Sequence, residues 1–123
     1  MIMRRLRAWS APDDTPPPPP APLRQTYAVG DLHGRLDLYG AMLKAIARDA
    51  GETPHDIVFL GDYVDRGPES AQLLRRLMAL ETSEDAVACR AGSHERVLLD
   101  FLAAPEDGAQ WLWIGGQETV MSF

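Results

Sequence analysis

The sequence predicts an α/β fold with the element order β-α-β-α-β-α and a parallel sheet. Three short apolar runs alternate with three longer segments whose apolar residues recur at helical spacing. Strands separated by helical connections pair in parallel. Each run is followed by polar, ionisable residues, in GDLHGR, GDYVDRG and GSHE. Because functional loops of such sheets gather beyond the carboxyl ends of the strands, we expect these three loops to meet.

The elements follow one another from residue 26 onward. TYAVGD contains the first strand, and RLDLYGAMLKAIARDAG the first helix, which Gly51 ends. DIVFLGD and AVACRAG contain the second and third strands, and ESAQLLRRLMAL and ERVLLDFLA the second and third helices. The helical residues predicted to be buried are Leu36, Tyr39, Leu43, Ile46, Ala50, Leu73, Leu74, Leu77, Met78, Val97, Leu98, Phe101 and Leu102.

Composition separates a basic tail from an acidic body. Residues 1–24 carry four arginines and a run of five prolines, which predicts a disordered lead-in; a proline-rich docking ligand is the alternative. The remaining chain has eight basic and sixteen acidic residues, a net charge of −8, and such a body repels nucleic acid. Cys89 is the only cysteine, which excludes an internal disulfide and fits the cytoplasm. No run reaches transmembrane length, so we expect no membrane partner.

The first two loops carry candidate metal ligands. Asp31 and His33 can chelate one ion from one side, and Asp62 ends the second strand as Asp31 ends the first. Two unpaired carboxylates on neighbouring strands would repel each other, and a divalent cation removes that conflict. The alternative is that both aspartates cap the segments that follow them.

The second and third loops carry candidate groups for phosphate chemistry. Arg66 could bind phosphate oxygens through two parallel hydrogen bonds. His94 could act as a general acid if a carboxylate such as Asp65 holds its ring. The alternatives are an ordinary surface pair between Asp65 and Arg66 and a structural histidine at a helix start.

Three sequence blocks resemble a known family. GDLHG at 30–34, GDYVDRG at 61–67 and GSHE at 92–95 are similar to the three opening signatures of the metallophosphoesterases, the calcineurin-like phosphoesterases. The phosphoprotein phosphatase branch, with bacterial Ser/Thr phosphatases and symmetrical diadenosine tetraphosphatases, is the most similar. WLWIGGQETVMSF also resembles the segment that follows the third block. The resemblance implies that residues 25–123 are a partial domain, the N-terminal half of a four-layer α/β/β/α sandwich.

The resemblance also implies two divalent metal ions, Mn, Fe or Zn. Asp31 and His33 would bind the first ion, and Asp62 would bridge both. Ser93 stands where the family has an asparagine that supplies a carbonyl oxygen to the second ion, and a neutral hydroxyl is a weaker ligand. The family has two further histidine ligands downstream of the third block. The only other histidine of this sequence, His55, precedes the second strand and is interpreted as a surface residue. We therefore expect at most one ion to bind well.

The implied reaction is hydrolysis of phosphate esters by a hydroxide that the metal activates. Arg66 would hold the phosphate, while Asp65 would orient His94 to protonate the leaving oxygen. The expected substrate is a phosphorylated protein or a small phosphoester, with diadenosine tetraphosphate as the alternative. Because ligands are missing, we expect impaired activity; the alternatives are a catalytically dead remnant, or a fragment that binds phosphorylated ligands through Arg66. We also expect a truncated fold that ends in the first turns of a helix and leaves an apolar edge or face open.

Overall fold

The structure is a computed structural model that describes Pro16, Pro20 and residues 24–123, so most of the predicted tail lies outside the described residues. Three parallel strands form one sheet in the order β1-β2-β3. The strands are β1 (Gln25–Val29), β2 (His55–Phe59) and β3 (Val87–Cys89). Val29 pairs with Phe59 and Phe59 with Cys89, so all three strands end at the same edge. The predicted parallel order is confirmed.

Helices follow each strand, as the sequence predicts. They are α1 (Leu36–Ala50), α2 (Ser70–Ser83) and α3 (Ser93–Ala103). Beyond α3 come a 3-10 turn (Pro105–Asp107), a short α4 (Ala109–Trp111), a kinked segment (Leu112–Gly116) and α5 (Gln117–Ser122). Gly51 ends α1 as predicted, with a φ of 55°. No helix in residues 24–123 is long and apolar enough to cross a bilayer.

Helices α1 and α2 cover one face of the sheet. Right-handed crossovers between strands in sequential order place both helices on the same side. The core combines the strand residues Val29, Ile57 and Phe59 with helical residues such as Ile46 and Leu73. On the opposite face, within the described residues, Ala28 is exposed and Val58 and Ala88 are half-buried. The expected open apolar face is therefore present.

Three helical residues that were predicted to be buried, Met78, Val97 and Leu102, are exposed. Met78 in α2 is 67% exposed, because α2 contacts the sheet through Leu73 and Leu77 and Met78 turns away from that contact. In α3, where no residue is buried, Leu102 is 65% exposed and Val97 is 36% exposed. Helix α3 packs chiefly against the 3-10 turn and α4, where the ring of Phe101 contacts Trp111. Its predicted apolar face therefore stays largely open.

Candidate active site

The loops that follow the three strands are in direct contact. The backbone N–H groups of Leu32 and His33 both donate to the carbonyl oxygen of Asp62, at 3.1 and 3.0 Å. A Cβ on Gly61 would lie 2.3 Å from the backbone nitrogen of Gly92, so only glycine permits this approach. The three strand ends therefore form one continuous surface, as the sequence predicts.

Backbone strain is concentrated in these loops. Among the described residues, four that are not glycine have a positive φ, and each is a predicted site residue: His33 (42°), Asp62 (55°), Asp65 (75°) and Arg66 (70°). Such conformations persist only where the surrounding structure enforces them, and they cluster at functional sites. The backbone is therefore held so that these four side chains take defined positions.

His33, Asp62 and His94 bring three potential metal-ligand atoms within 4.8 Å of one another. The Nδ1 of His33 lies 2.8 Å from the carbonyl oxygen of Val64, so it carries the proton and leaves Nε2 with a lone pair, toward which a guanidinium nitrogen of Arg66 lies at 3.3 Å. Asp62 Oδ1 accepts hydrogen bonds from the backbone N–H of His94 and the hydroxyl of Ser93, and its Oδ2 remains available. This mixed nitrogen and oxygen donor set fits a divalent transition metal.

Asp31 lies at the margin of this group. Its side chain is 65% exposed, and its Oδ2 lies 3.6 Å from the Nε2 of His33. The Ser93 hydroxyl, 3.3 Å from Asp62 Oδ1, is a donor to the predicted bridging carboxylate. The structure thus brings His33 and Asp62 together, keeps Asp31 nearby, and directs Ser93 toward the carboxylate.

The environment of Asp62 favours its charged form. Burial is the largest single influence and raises the pKa of this carboxyl group. The backbone N–H of His94, the electrostatic influence of its ring, the hydroxyl of Ser93 and the electrostatic influence of the His33 ring together outweigh burial, so the pKa of Asp62 is lowered. A carboxylate with a lowered pKa is ionised near neutral pH and is available as a ligand.

Asp65 is fully buried beneath the site and has three side-chain donors. Its Oδ2 accepts from the Nδ1–H of His94 at 2.6 Å and from the indole N–H of Trp111 at 2.8 Å. Its Oδ1 accepts from the hydroxyl of Thr119 at 2.7 Å. These bonds direct the Nε2 of His94 away from Asp65. Sequence reasoning missed Trp111 and Thr119, and the only available signal was their place in WLWIGGQETVMSF.

The backbone of Arg66 is anchored by the kinked segment. Its N–H donates to the carbonyl oxygen of Gly115 at 3.0 Å, and a Cβ on Gly115 would lie 2.8 Å from the Arg66 nitrogen. One guanidinium nitrogen of Arg66 lies 3.3 Å from the Nε2 of His33. An exposed guanidinium beside a candidate cation site is well placed to bind phosphate oxygens.

Glu95 joins the second and third loops, a role that sequence reasoning missed. Its Oε2 accepts the backbone N–H groups of Asp62 and Gly92, at 2.7 and 2.8 Å. Its Oε1 accepts those of Tyr63 and Val64, at 2.7 and 3.2 Å. The available signal was the position of Glu95 in the first turn of a helix, where a glutamate commonly binds the backbone N–H of the N-cap residue.

Two residues lie apart from the site. This was predicted for His55, although it is half-buried and not the surface residue expected. His55 begins β2, at the opposite end of the sheet, and its Nδ1 contacts the carbonyl oxygen of Thr53. Cys89 is half-buried, and burial raises its thiol pKa to about 11. Neither side chain contributes to the candidate centre.

Known proteins with similar sequences place the chain in one family. The family model for calcineurin-like phosphoesterases matches residues 25–120. The chain is 40% identical over 74 residues to a symmetrical bis(5'-nucleosyl)-tetraphosphatase of Pseudomonas fluorescens (strain SBW25), which covers 60% of this chain and 24% of that protein. A protein of the same name from Nitrosomonas europaea is 40% identical over 78 residues, or 63% and 27% of the two chains. The matched part thus spans about a quarter of these curated relatives, and the chain belongs to the calcineurin-like phosphoesterase family.

Proposed function

We propose that the chain carries the catalytic loops of a metal-dependent phosphoesterase. One observation carries the proposal: the charged Asp62, two imidazoles and Arg66 lie together where three parallel strands end. A cation-binding group beside a guanidinium suits an anionic phosphate. Membership of the calcineurin-like phosphoesterase family supports the same reaction class.

In this proposal the Nε2 of His33 and the Oδ2 of Asp62 hold a divalent cation, with Asp31 as a further ligand. Mn, Fe and Zn suit this mixed donor set better than Ca does. When bound, such an ion polarises the phosphate and lowers the pKa of water. We propose that one ion binds well and a second binds poorly, because Ser93 offers a neutral hydroxyl that is a donor to Asp62.

The remaining side chains bind the phosphate and move a proton. Arg66 holds the phosphate oxygens through its guanidinium. Asp65 accepts the Nδ1–H of His94, so that the Nε2 of His94 faces the leaving group. His94 donates its Nε2 proton to the leaving oxygen as the phosphorus–oxygen bond breaks. Water attacks the phosphorus and supplies the replacement oxygen, and the proton it releases restores that of His94. The products are the released alcohol or nucleotide phosphate and a second phosphate that carries the oxygen from water.

For the substrate, we propose a dinucleoside tetraphosphate or a related small phosphoester. The support is the activity named for the curated relatives, symmetrical bis(5'-nucleosyl)-tetraphosphatase. A Ser/Thr phosphoprotein is the second candidate, because GDYVDRG resembles the corresponding block of protein phosphatases. We further propose a cytoplasmic location, since the sole cysteine fits a reducing compartment.

The test combines turnover with metal binding. The chain is assayed with Mn²⁺ against diadenosine tetraphosphate, p-nitrophenyl phosphate and a phosphothreonine peptide, and calorimetry measures Mn²⁺ binding. We expect slow turnover that depends on Mn²⁺. Asp62→Asn should lower the turnover rate to about one hundredth or less and should weaken the binding of Mn²⁺. Asp85→Asn, at an exposed loop aspartate, is the matched control.

The outcomes separate the candidate functions. If Asp62→Asn and the control show equal heats of Mn²⁺ binding and equal turnover rates, the proposed metal site is refuted. Mn²⁺ binding and phosphopeptide binding without turnover would favour the non-catalytic alternative. A clear preference for the phosphopeptide over diadenosine tetraphosphate would favour the protein phosphatase type.

A further inference from the structure

We propose that Trp111 and Thr119 are positioning residues that hold the carboxylate of Asp65 and thereby fix the ring of His94. The inference rests on the proposed function, since His94 matters as the group that protonates the leaving oxygen. The segment after α3, which carries both residues, would thereby contribute to the chemistry. Neither residue faces the phosphate in this proposal; each acts through Asp65.

The hydrogen bonds around Asp65 leave its carboxylate one orientation. Thr119 both donates to Asp65 Oδ1 and accepts the backbone N–H of Asp65, each at 2.7 Å. Trp111 donates its indole N–H to Oδ2, the oxygen that binds His94. The side chain of Asp65 is fully buried, so no water can substitute for a lost donor without a rearrangement. The two donors therefore settle which oxygen faces His94.

The kinked segment makes this double contact possible. Trp111 and Thr119 are eight positions apart, which corresponds to about 12 Å along a straight α-helix, too far for both to reach one carboxylate. Gly115 breaks the helix with φ 121° and ψ 0°. A Cβ on Gly116 would lie 2.3 Å from the Trp111 ring, so a glycine there lets the indole pack against the backbone. The two glycines thus bring both donors to Asp65.

This arrangement has a consequence for His94. Without the Thr119 hydroxyl, Asp65 Oδ1 and the Asp65 backbone N–H both lose their shortest side-chain partner. The carboxylate can then turn, and the Nδ1–H of His94 loses its fixed acceptor. The ring of His94 would then be free to rotate, and its Nε2 would no longer be held toward the leaving group.

The variants isolate each donor. Thr119→Val removes the hydroxyl at nearly constant volume, and Thr119→Ser retains it. Trp111→Phe removes the indole N–H and leaves an aromatic ring. The matched controls are Thr82→Val, at an exposed threonine bonded only to a carbonyl of its own helix, and Trp113→Phe, at a tryptophan that is 90% exposed.

Three measurements are made on the 123-residue chain. Nuclear magnetic resonance of the histidine ring protons and nitrogens reports the tautomer and hydrogen bond of His94 and needs no activity. Steady-state kinetics with Mn²⁺ compares p-nitrophenyl phosphate with phenyl phosphate, whose leaving group needs more help from an acid. Thermal unfolding followed by circular dichroism shows which variants are folded.

We expect the His94 Nδ1–H signal in the wild type, both controls and Thr119→Ser, and its loss in Thr119→Val and Trp111→Phe. In these last two variants kcat should fall about tenfold while KM changes by less than about twofold. The fall in kcat should be larger with phenyl phosphate than with p-nitrophenyl phosphate. A folded Thr119→Val that keeps the His94 signal, with only a lower melting temperature, would overturn the proposal. If the wild type hydrolyses neither these substrates nor diadenosine tetraphosphate, the proposed function fails, and the His94 signal alone decides the positioning role.

Discussion

Replacement of Glu95 should destabilise the protein and weaken its candidate metal site. The carboxylate accepts four backbone N–H groups, two from each of its oxygens. Three of these N–H groups belong to the loop that carries Asp62, and the fourth precedes α3. Glu95→Ala leaves all four without their acceptor. Because Asp62 has a positive φ, it also loses the contact that holds its backbone in a strained conformation.

The expected loss of stability follows from these contacts. A hydrogen bond to a charged group contributes about 1.5–3 kcal/mol when it is shielded from water. The Glu95 side chain is only partly buried, so water replaces part of each bond, and about 1 kcal/mol per bond is a fair value. The four bonds then sum to roughly 4 kcal/mol, against a total of about 5–15 kcal/mol for a typical domain.

Urea unfolding followed by circular dichroism measures this loss, with Glu52→Ala, at an exposed loop glutamate, as the control. Glu95→Gln should lie between the wild type and Glu95→Ala, because one amide oxygen still accepts hydrogen bonds. Mn²⁺ affinity, from calorimetry on protein that remains folded, should fall together with stability. A Glu95→Ala variant within 1 kcal/mol of the control would show that the bridge between the loops contributes little.

Two further predictions concern the sheet and the kinked segment. At pH 8 the Cys89 thiol, whose pKa burial raises to about 11, should react with iodoacetamide roughly 100-fold more slowly than an exposed thiol, and urea should remove the protection. Because the folded state keeps the thiol proton to a higher pH than the unfolded state does, the free energy of unfolding should fall as the pH rises above about 8.5. Equal alkylation rates with and without urea would contradict the burial of Cys89. Gly115→Ala should lower the melting temperature and weaken phosphate binding, since its Cβ meets Arg66 at a positive φ. Gly40→Ala, at a helical glycine with open space around it, is the control, and an unchanged Gly115→Ala protein would show that the kink can relax.

Periodicity and glycine placement were sufficient to predict the strands, the three main helices and their parallel order. These features depend on local properties, namely the spacing of apolar residues and the conformations that glycine permits. The same reasoning failed for Met78 and Leu102, which are 67% and 65% exposed. An apolar residue at helical spacing shows which face is apolar, but only the neighbouring elements determine whether something covers that face.

The candidate site likewise combines features that the sequence predicts with features that it does not. The proximity of the loops that carry Asp31, His33, Asp62 and Arg66 could be predicted from the sequence, because each loop directly follows a strand and parallel pairing aligns the strand ends. The partners of buried groups could not be recognised, because hydrogen bonds to a desolvated carboxylate are selected by packing in three dimensions. Thr119 reaches Asp65 from 54 positions away, and Glu95 reaches the backbone of Asp62 from 33. Spacing along the chain carries no information about such contacts, whereas the requirement that buried polar atoms be paired determines them once the chain is folded.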